Sequence, residues 1–329
     1  MARALAMISG GLDSILAAKL IKEQGIEVIG VCFRSYFFSE ESAIKMTKQI
    51  DIPLKVVDFS PEHLELVKNP KHGRGKNMNP CIDCHAMMMN YAGKLLEEYN
   101  ADFIITGEVL NQRPMSQNRQ ALNIVKKESG FSNKILRPLC AKNIDPTEME
   151  LNGMVDREKL LNISGRSRKV QMELAEKWGI TEYPSPAGGC KLTEPNYALR
   201  LKDLLNHKEE VIEDELSLLR YGRHFRTEDD NKIIVARTKD EGECIKALVN
   251  SDYYSFHTTD FSGALVLLEK EGTEKDIELA ARISGRYSKG REENIVKVKY
   301  GQYGKKLENA IEVEPINDKE LERYMISIK

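Results

Sequence analysis

The sequence predicts an α/β fold, a parallel twisted sheet with helices on both faces, followed by a smaller C-terminal α/β domain. Three observations predict it. Strand-like and helix-like segments alternate through the first 165 residues, the pattern of a parallel sheet wrapped by helices. The first apolar strand, Ala4–Ile8, empties into a turn containing Gly10-Gly11 and then a helix. After an irregular stretch the alternation restarts near residue 215, and 329 residues exceed one core of ordinary size. The expected division is a catalytic domain over 1–165, a connecting segment over 166–210 that carries Cys190, and a C-terminal domain over 211–329.

The expected strands of the first domain are Ala4–Ile8, Glu27–Phe33, Leu54–Phe59, Ala101–Thr106 and Ile135–Leu139, each a short apolar or alternating run. Helices fit Ser14–Gln24, Glu40–Ile50, Asp83–Tyr99 and Pro146–Val155. Ligands of such sheets sit at the carboxyl ends of strands, where Ser9–Ser14 and Thr106-Gly107-Glu108 both fall. The connector offers a helix over Arg166–Trp178, a Pro- and Gly-rich loop over Tyr183–Cys190 that exposes Cys190, and a helix over Tyr197–Leu205. Strands Lys232–Arg237, Ala264–Leu268 and Ile295–Tyr300, with helices Glu241–Val249 and Glu274–Ile283, make up the last domain.

No apolar stretch approaches the ~20 residues of a membrane span, and Met1-Ala2-Arg3 leads into a core strand and not a signal peptide. A cytoplasmic protein is expected, and in that reducing setting six cysteines point to metal or catalytic use before disulfides. A net charge of −2 excludes a polycation. Basic residues are nevertheless bunched: Lys68, Lys71, His72, Arg74 and Lys76 with no acid among them, Arg166 with Arg168 and Lys169, and Arg282, Arg286, Lys289 and Arg291. Each cluster alone reads as a solvated face; three together suggest a phosphate-rich partner.

Ser9-Gly10-Gly11-Leu12-Asp13-Ser14 is a phosphate-binding arrangement by chemistry. Glycines let the backbone approach an anion, and the N–H groups at a helix start face it with the positive end of the dipole. Ser9 and Ser14 add hydroxyls, and Asp13 suits a phosphate-bound magnesium ion. Asn79-Pro80-Cys81-Ile82-Asp83-Cys84-His85 places two thiols at i and i+3 at a helix start, a chelate or redox pair. Cys32 and Cys244 read as small buried hydrophobes, and Cys140 follows a strand end near the expected site.

The hexapeptide resembles the SGGxDS signature of the PP-loop ATP pyrophosphatases, which implies an adenine nucleotide α-hydrolase-like fold, ATP with Mg2+, and adenylation of a substrate oxygen. The Asn79–Cys84 segment resembles the Asn-Pro-x-x-x-Cys motif of the tRNA 2-thiouridylases. That likeness, over residues 1 to about 205, makes Cys84 the match of the catalytic cysteine and Cys190 of the second, sulfur-carrying one. The chain departs from the family at Cys81, where better-known members carry Asp, and at Glu108, where they have His after Gly107. By resemblance to iron–sulfur-dependent thiolases, Cys81, Cys84 and Cys190 would hold a [4Fe-4S] cluster with one open iron. A persulfide on Cys190, or Zn2+ completed by His85, fits the same residues. Phe33, Gly107, Glu108 and Arg113 would border the nucleotide, with Arg137-Pro138-Leu139 a short downstream motif.

Phe256-His257, Ser262-Gly263-Ala264, Ala280-Ala281 and Tyr287-Ser288-Lys289-Gly290 resemble the RNA-binding module of the fibronectin-binding-type ribosome quality-control proteins. The expected function is ATP-dependent thiolation of a tRNA uridine, with tRNA and a sulfide or persulfide donor as partners. Lys68, Lys71, Arg74, Lys76 and Lys289 would meet RNA phosphates. Two other classes share the hexapeptide: a ligase or amidating enzyme with structural zinc cysteines, and an RNA-binding factor with a degenerate loop. Retention on tRNA separates the first, ATP–pyrophosphate exchange the second.

Overall fold

The computed structural model describes residues 2–185, 189–269 and 272–328. Pro186, Ala187 and Gly188, part of the loop expected before Cys190, lie outside the described residues. The chain divides into two compact units, Met1–Thr193 and Glu194–Lys329. The stretch 166–210 is thereby shared between them, with Cys190 in the first.

The first unit is built from β1 (Arg3–Met7), α1 (Leu12–Lys22), β2 (Glu27–Arg34), α2 (Glu41–Gln49), β3 (Leu54–Asp58), α3 (Ser60–Lys68), α4 (Cys81–Glu98), β4 (Phe103–Thr106), α5 (Arg119–Glu128), β5 (Ile135–Leu136), α6 (Glu148–Leu151) and α7 (Lys169–Lys177). Its five strands are all parallel, in the order β3-β2-β1-β4-β5. Alternation along β1 separates the two faces. Ala4 and Ala6 pack into a core with α1, α2 and α7, whereas Leu5 joins Met89, Ala92 and Leu96 of α4 and Val125 of α5 on the other side. Both faces are therefore covered, which explains why these strands read as continuous apolar runs.

The strand order reverses between β1 and β4, whose ends pair Met7 with Thr106. Such a switch point opens a crevice at the carboxyl ends. The turns after β1 and β4 meet there.

Several elements differ from expectation, each for a local reason. The strand at Ile135 stops at Leu136, because Pro138 has no N–H to continue a ladder. The helix expected over Pro146–Val155 is the short α6, with Gly153 at φ 77° just past its end. β4 begins at Phe103, since α4 runs to Glu98 and Asn100 takes a left-handed φ of 47°. Two helices of the described residues of this unit were not anticipated: α3, opened by Pro61 in its first turn, and α5, whose cap Asn118 accepts from the Ala121 N–H at 2.9 Å.

The second unit comprises α8 (Pro195–His207), α9 (Glu213–Leu218), β6 (Arg223–Arg226), β7 (Lys232–Val235), α10 (Lys239–Leu248), β8 (Tyr253–Thr258), β9 (Val266–Glu269), α11 (Glu274–Arg286), β10 (Val296–Gln302), β11 (Asn309–Val313) and α12 (Asp318–Tyr324). Its six strands run antiparallel in the order β11-β10-β8-β9-β7-β6. Ile233, Val235, Val266 and Leu268 face Leu279, Ala280 and Ile283 of α11; Ile234 and Leu267 face Leu218 of α9 and Ile245 of α10. Cys244, expected to be buried, is exposed, because Gly242 and Ile245 take the inward positions of α10. Cys32 is buried as expected, and burial, with Glu40 nearby, pushes its thiol up to about 12.

Candidate active site

The turn after β1 is shaped by two close approaches. Gly10 has φ 79°, and a Cβ there would stand 2.6 Å from Ser42 Cβ and 2.8 Å from the Ala43 nitrogen. Only glycine takes that conformation without strain in that space. Gly11 then caps α1 from extended backbone, and no side chain caps the first N–H groups of the helix. Those groups are the ones a helix start offers to an anion. Ser14 donates its hydroxyl to the Gly11 carbonyl at 2.8 Å, and the Ser9 and Ser14 hydroxyls are 3.5 Å apart. Asp13 Oδ2 accepts from Gln112 Nε2 at 2.5 Å, while Oδ1 is buried without a partner. A buried carboxylate oxygen whose lone pairs are unengaged suits a cation or a hydroxyl.

Gln112 and Gln171 were missed by the sequence reading. Buried Gln171 of α7 donates to Gln112 Oε1 at 3.0 Å, so a two-amide relay ties Asp13 to the helix packed beside α1. Both partners are distant in sequence, and amides carry no motif. Arg113, beside Gln112, is exposed. Phe33 is buried, edge-on to Phe59 at 5.4 Å and to Tyr91 at 6.4 Å, so its ring belongs to the core.

Gly107 and Glu108, at the end of β4, join two halves of the site. A Cβ on Gly107 would stand 2.5 Å from the Ser14 nitrogen and 2.6 Å from the Asp13 carbonyl carbon. The β4 turn therefore lies against the start of α1. Glu108 is 4% exposed and points the other way, Oε1 accepting from His85 Nδ1 at 2.9 Å and Oε2 from Arg137 Nε at 2.8 Å. Burial works to raise this carboxyl, but Arg137 and His85 outweigh it and hold it below its usual range. With both oxygens engaged, Glu108 is an internal carboxylate and not an open magnesium ligand. Arg137 is itself buried and donates to the Leu122 carbonyl at 3.2 Å, and the Cys140 thiol lies 3.4 Å from the Glu108 carbonyl.

His85 follows Cys84 in the first turn of α4. Asn79 Nδ2 contacts Cys81 Sγ at 3.2 Å, and Asp83 accepts the His72 N–H at 2.9 Å and Nδ1 at 2.6 Å, tying the preceding loop to the helix start. Cys190 is brought in from far along the chain. One residue after it, the Lys191 N–H donates to the Phe37 carbonyl at 3.0 Å; Asn77 Nδ2 holds the Thr193 carbonyl at 2.8 Å. Upstream, the Gln49 amide bonds the backbone of Thr181 and Glu182, with Nε2 to the Glu182 carbonyl at 2.7 Å. Cys84 is buried, Cys81 and Cys190 half-buried. Burial, then Cys190 and Cys81, push the Cys84 thiol well above its ordinary value, which sets all three within electrostatic reach.

Three thiols are the donor type that iron–sulfur clusters and zinc take, so the residues fit such a group in kind. Among the described residues, no three His, Cys, Asp or Glu side chains stand close enough together to hold a metal ion.

Residues 1–148 match the family described as thiamine biosynthesis protein (ThiI). A probable tRNA sulfurtransferase of Finegoldia magna is 32% identical over 156 residues, covering 45% of this chain and 37% of that protein. A tRNA-specific 2-thiouridylase MnmA of Karelsulcia muelleri is 24% identical over 212 residues, covering 54% and 56%. The N-terminal half resembles the PP-loop tRNA thiolases. Residues 222–325 match the NFACT protein RNA binding domain, so the expected likeness of the C-terminal module also holds. The chain spans less than two thirds of either curated relative. Among solved structures, a 4-thiouridine synthetase–RNA complex with bound ATP aligns at 20% identity over 54% of this chain and 52% of that one, with a TM-score of 0.36. That score is too low to add to the resemblance.

In the thiolase-like half, the basic loop is less open than its sequence suggests. Lys68 pairs with Glu65 at 2.8 Å, Lys71 with Glu128 at 2.7 Å, and Arg74 bonds the Val67 and Lys68 carbonyls, each at 2.8 Å. Lys76 is exposed. In the NFACT-like module, Arg282 forks onto Glu320 at 2.6 and 2.8 Å, and Arg286 meets Asp318 at 2.5 Å, while Lys289 is exposed. Half-buried Tyr287 stacks under Arg223 at 4.9 Å. Among the described residues, no helix is long and apolar enough to cross a membrane.

Proposed function

We propose that this chain is an ATP-dependent tRNA thiolase. The observation that carries the reading is the pair Gly107-Glu108, which rests on the start of α1 at one residue and bonds the cysteine helix at the next. ATP chemistry and thiol chemistry thereby share one crevice, as adenylation followed by sulfur transfer requires.

Ser9, Gly10, Gly11 and Ser14 cradle the ATP phosphates, and the unpartnered Asp13 oxygen takes the magnesium ion. Arg113 reaches phosphate from its exposed turn. Gly107 sets the height of the loop, and the strand end at Phe33 contributes backbone. A uracil carbonyl oxygen attacks the α-phosphate and pyrophosphate leaves; a sulfur nucleophile then displaces AMP, leaving thiouridine. AMP departs easily where the bare carbonyl oxygen would not. The base has to leave its stack to enter the crevice.

Cys81, Cys84 and Cys190 are the residues that would hold a [4Fe-4S] cluster, and its chemistry would be to present sulfide on an open iron. Sulfide or a persulfide-bearing carrier supplies the sulfur. Asn79 and the anchors on either side of Cys190 orient the thiols. Lys68, Lys71, Arg74, Lys76, Lys289 and the NFACT-like module hold tRNA, mostly through phosphates. The place of work is the cytoplasm, where tRNA is modified.

The experiment is nucleoside mass spectrometry of unmodified tRNA incubated with the chain, ATP, Mg2+ and sulfide under anaerobic conditions. Thiouridine that needs ATP and disappears with Cys84→Ser is the expected result. Product surviving substitution of all three cysteines, or no tRNA-dependent AMP release, overturns the proposal.

A further inference from the structure

We propose that Glu108 is a positioning residue that transmits the seating of ATP to the cysteine helix through His85. The inference rests on the thiolase reading and adds a residue to it. Gly107 and Glu108, adjacent in the chain, touch two different elements, the start of α1 and the start of α4. Gly107 has no room for even a methyl group against Asp13 and Ser14, so a displacement of the phosphate loop is passed to the β4 turn. The next residue grips His85, which neighbours Cys84 at the start of α4.

The grip is rigid at its base, where the carboxylate and guanidinium are shut off from water. Glu108 and Arg137 are 4% and 3% exposed, and Arg137 is braced by the Leu122 carbonyl. A carboxylate so placed has one low-energy geometry, since parting from Arg137 would leave two buried charges uncompensated. Glu108 accepts from Nδ1, so a proton sits on that nitrogen. Among the described residues Nε2 has no partner, and the ring is about one-quarter exposed. Glu108 and Arg137 are sealed from water, and His85 is the partner of Glu108 that reaches solvent.

Glu108→Gln strands the Arg137 charge and can unfold the domain, so His85→Ala is the primary variant; it leaves the Glu108–Arg137 pair in place. Three readouts are taken on the full chain: the ATP dissociation constant, the ATP KM and kcat for thiouridine, and hydrogen–deuterium exchange with and without ATP. In the wild type, ATP should slow exchange several-fold both at Ser9–Lys22 and in the first turns of α4. In His85→Ala the first protection should remain and the second vanish, with kcat down about tenfold or more while ATP KM holds within about twofold. His85→Asn, which keeps a donor near the Nδ1 position, should restore part of both. Wild-type protection of α4 in His85→Ala, or an unchanged kcat, overturns the inference. A wild-type chain that makes no thiouridine removes the functional reading instead, and the exchange measurement on protein and ATP alone still decides the link.

Discussion

Gly107→Ala should disable the nucleotide site from outside it. The added Cβ would stand 2.5 Å from the Ser14 nitrogen, 2.6 Å from Ser14 Cα and 2.6 Å from the Asp13 carbonyl carbon. Ordinary carbon contacts are about 3.5–4.0 Å, so roughly 1 Å of backbone movement has to be found. All three neighbours are main chain, with no flexible side-chain end to swing aside. Overpacking of this kind costs about 1–3 kcal/mol, or about 2–10 °C in melting temperature for a unit of this size. A phosphate loop displaced by about 1 Å loses at least one charge-assisted hydrogen bond, about 1.5–3 kcal/mol, and weakens ATP binding about ten- to a hundredfold. Thermal melts and calorimetric titration with Mg–ATP measure the two effects. Gly11→Ala is the steric control for the melt, since its Cβ meets only Ser9 Oγ at 3.5 Å. A Gly107→Ala chain that melts like the wild type and binds ATP within about twofold of it refutes the steric reasoning.

His63 is fully buried, stacked on Phe59 at 4.8 Å, with neither ring nitrogen bonded, and burial pulls its pKa down to about 4. Its neutral form stabilises the fold fully above pH 6.5, and about 3 kcal/mol is lost as pH falls from there to about 4. His63→Phe should flatten that acid limb in melts taken from pH 4 to 8; an unchanged slope assigns the acid sensitivity elsewhere. For RNA, Lys76→Glu should weaken tRNA binding and lower the salt slope by about 1. Lys71→Glu, acting on a charge already paired with Glu128, should change binding less; the reverse order in filter binding at several salt concentrations refutes this map. Anaerobic purification should yield about four irons and four sulfides per chain, with iron lost in Cys81→Ser, Cys84→Ser and Cys190→Ser alike. An iron-free wild type that carries a persulfide on Cys190 refutes the cluster.

The five parallel strands were legible because each is a short run bounded by a turn signal; burial on both faces keeps residues 4–6 of β1 and 103–105 of β4 apolar, while the edge strand β3 carries exposed Lys55 and Asp58. The hexapeptide was legible because phosphate cradling needs glycine and hydroxyls in a fixed local order. β8 was not: Tyr253-Tyr254-Ser255-Phe256-His257-Thr258 mixes polar and aromatic residues, and its pairing with β9 and β10 is what makes it a strand. The basic stretch misled because its cations are taken by groups outside the stretch or by backbone carbonyls: Lys68 turns back to Glu65, Arg74 bonds carbonyls, and Glu128 lies 57 residues from Lys71. Glu108 shows the same limit from inside the site. Its partners stand 23 and 29 residues away, so the sequence marks a carboxylate at a strand end and gives no sign that both oxygens are taken.

The anchors around Cys190 set how that thiol can move. Lys191 is hydrogen-bonded to the Phe37 carbonyl, and adjacent Cα atoms are about 3.8 Å apart. Cys190 is thus leashed one residue from a fixed point. On that side the sulfur is placed relative to the fixed point by the backbone and χ1 angles of Cys190 alone. The entropy of bringing it to Cys84 was spent when the chain folded. A sulfur atom held there is placed by a bond rotation one residue from the anchor, and inserting a residue between Cys190 and Lys191 would change the reach of that swing directly.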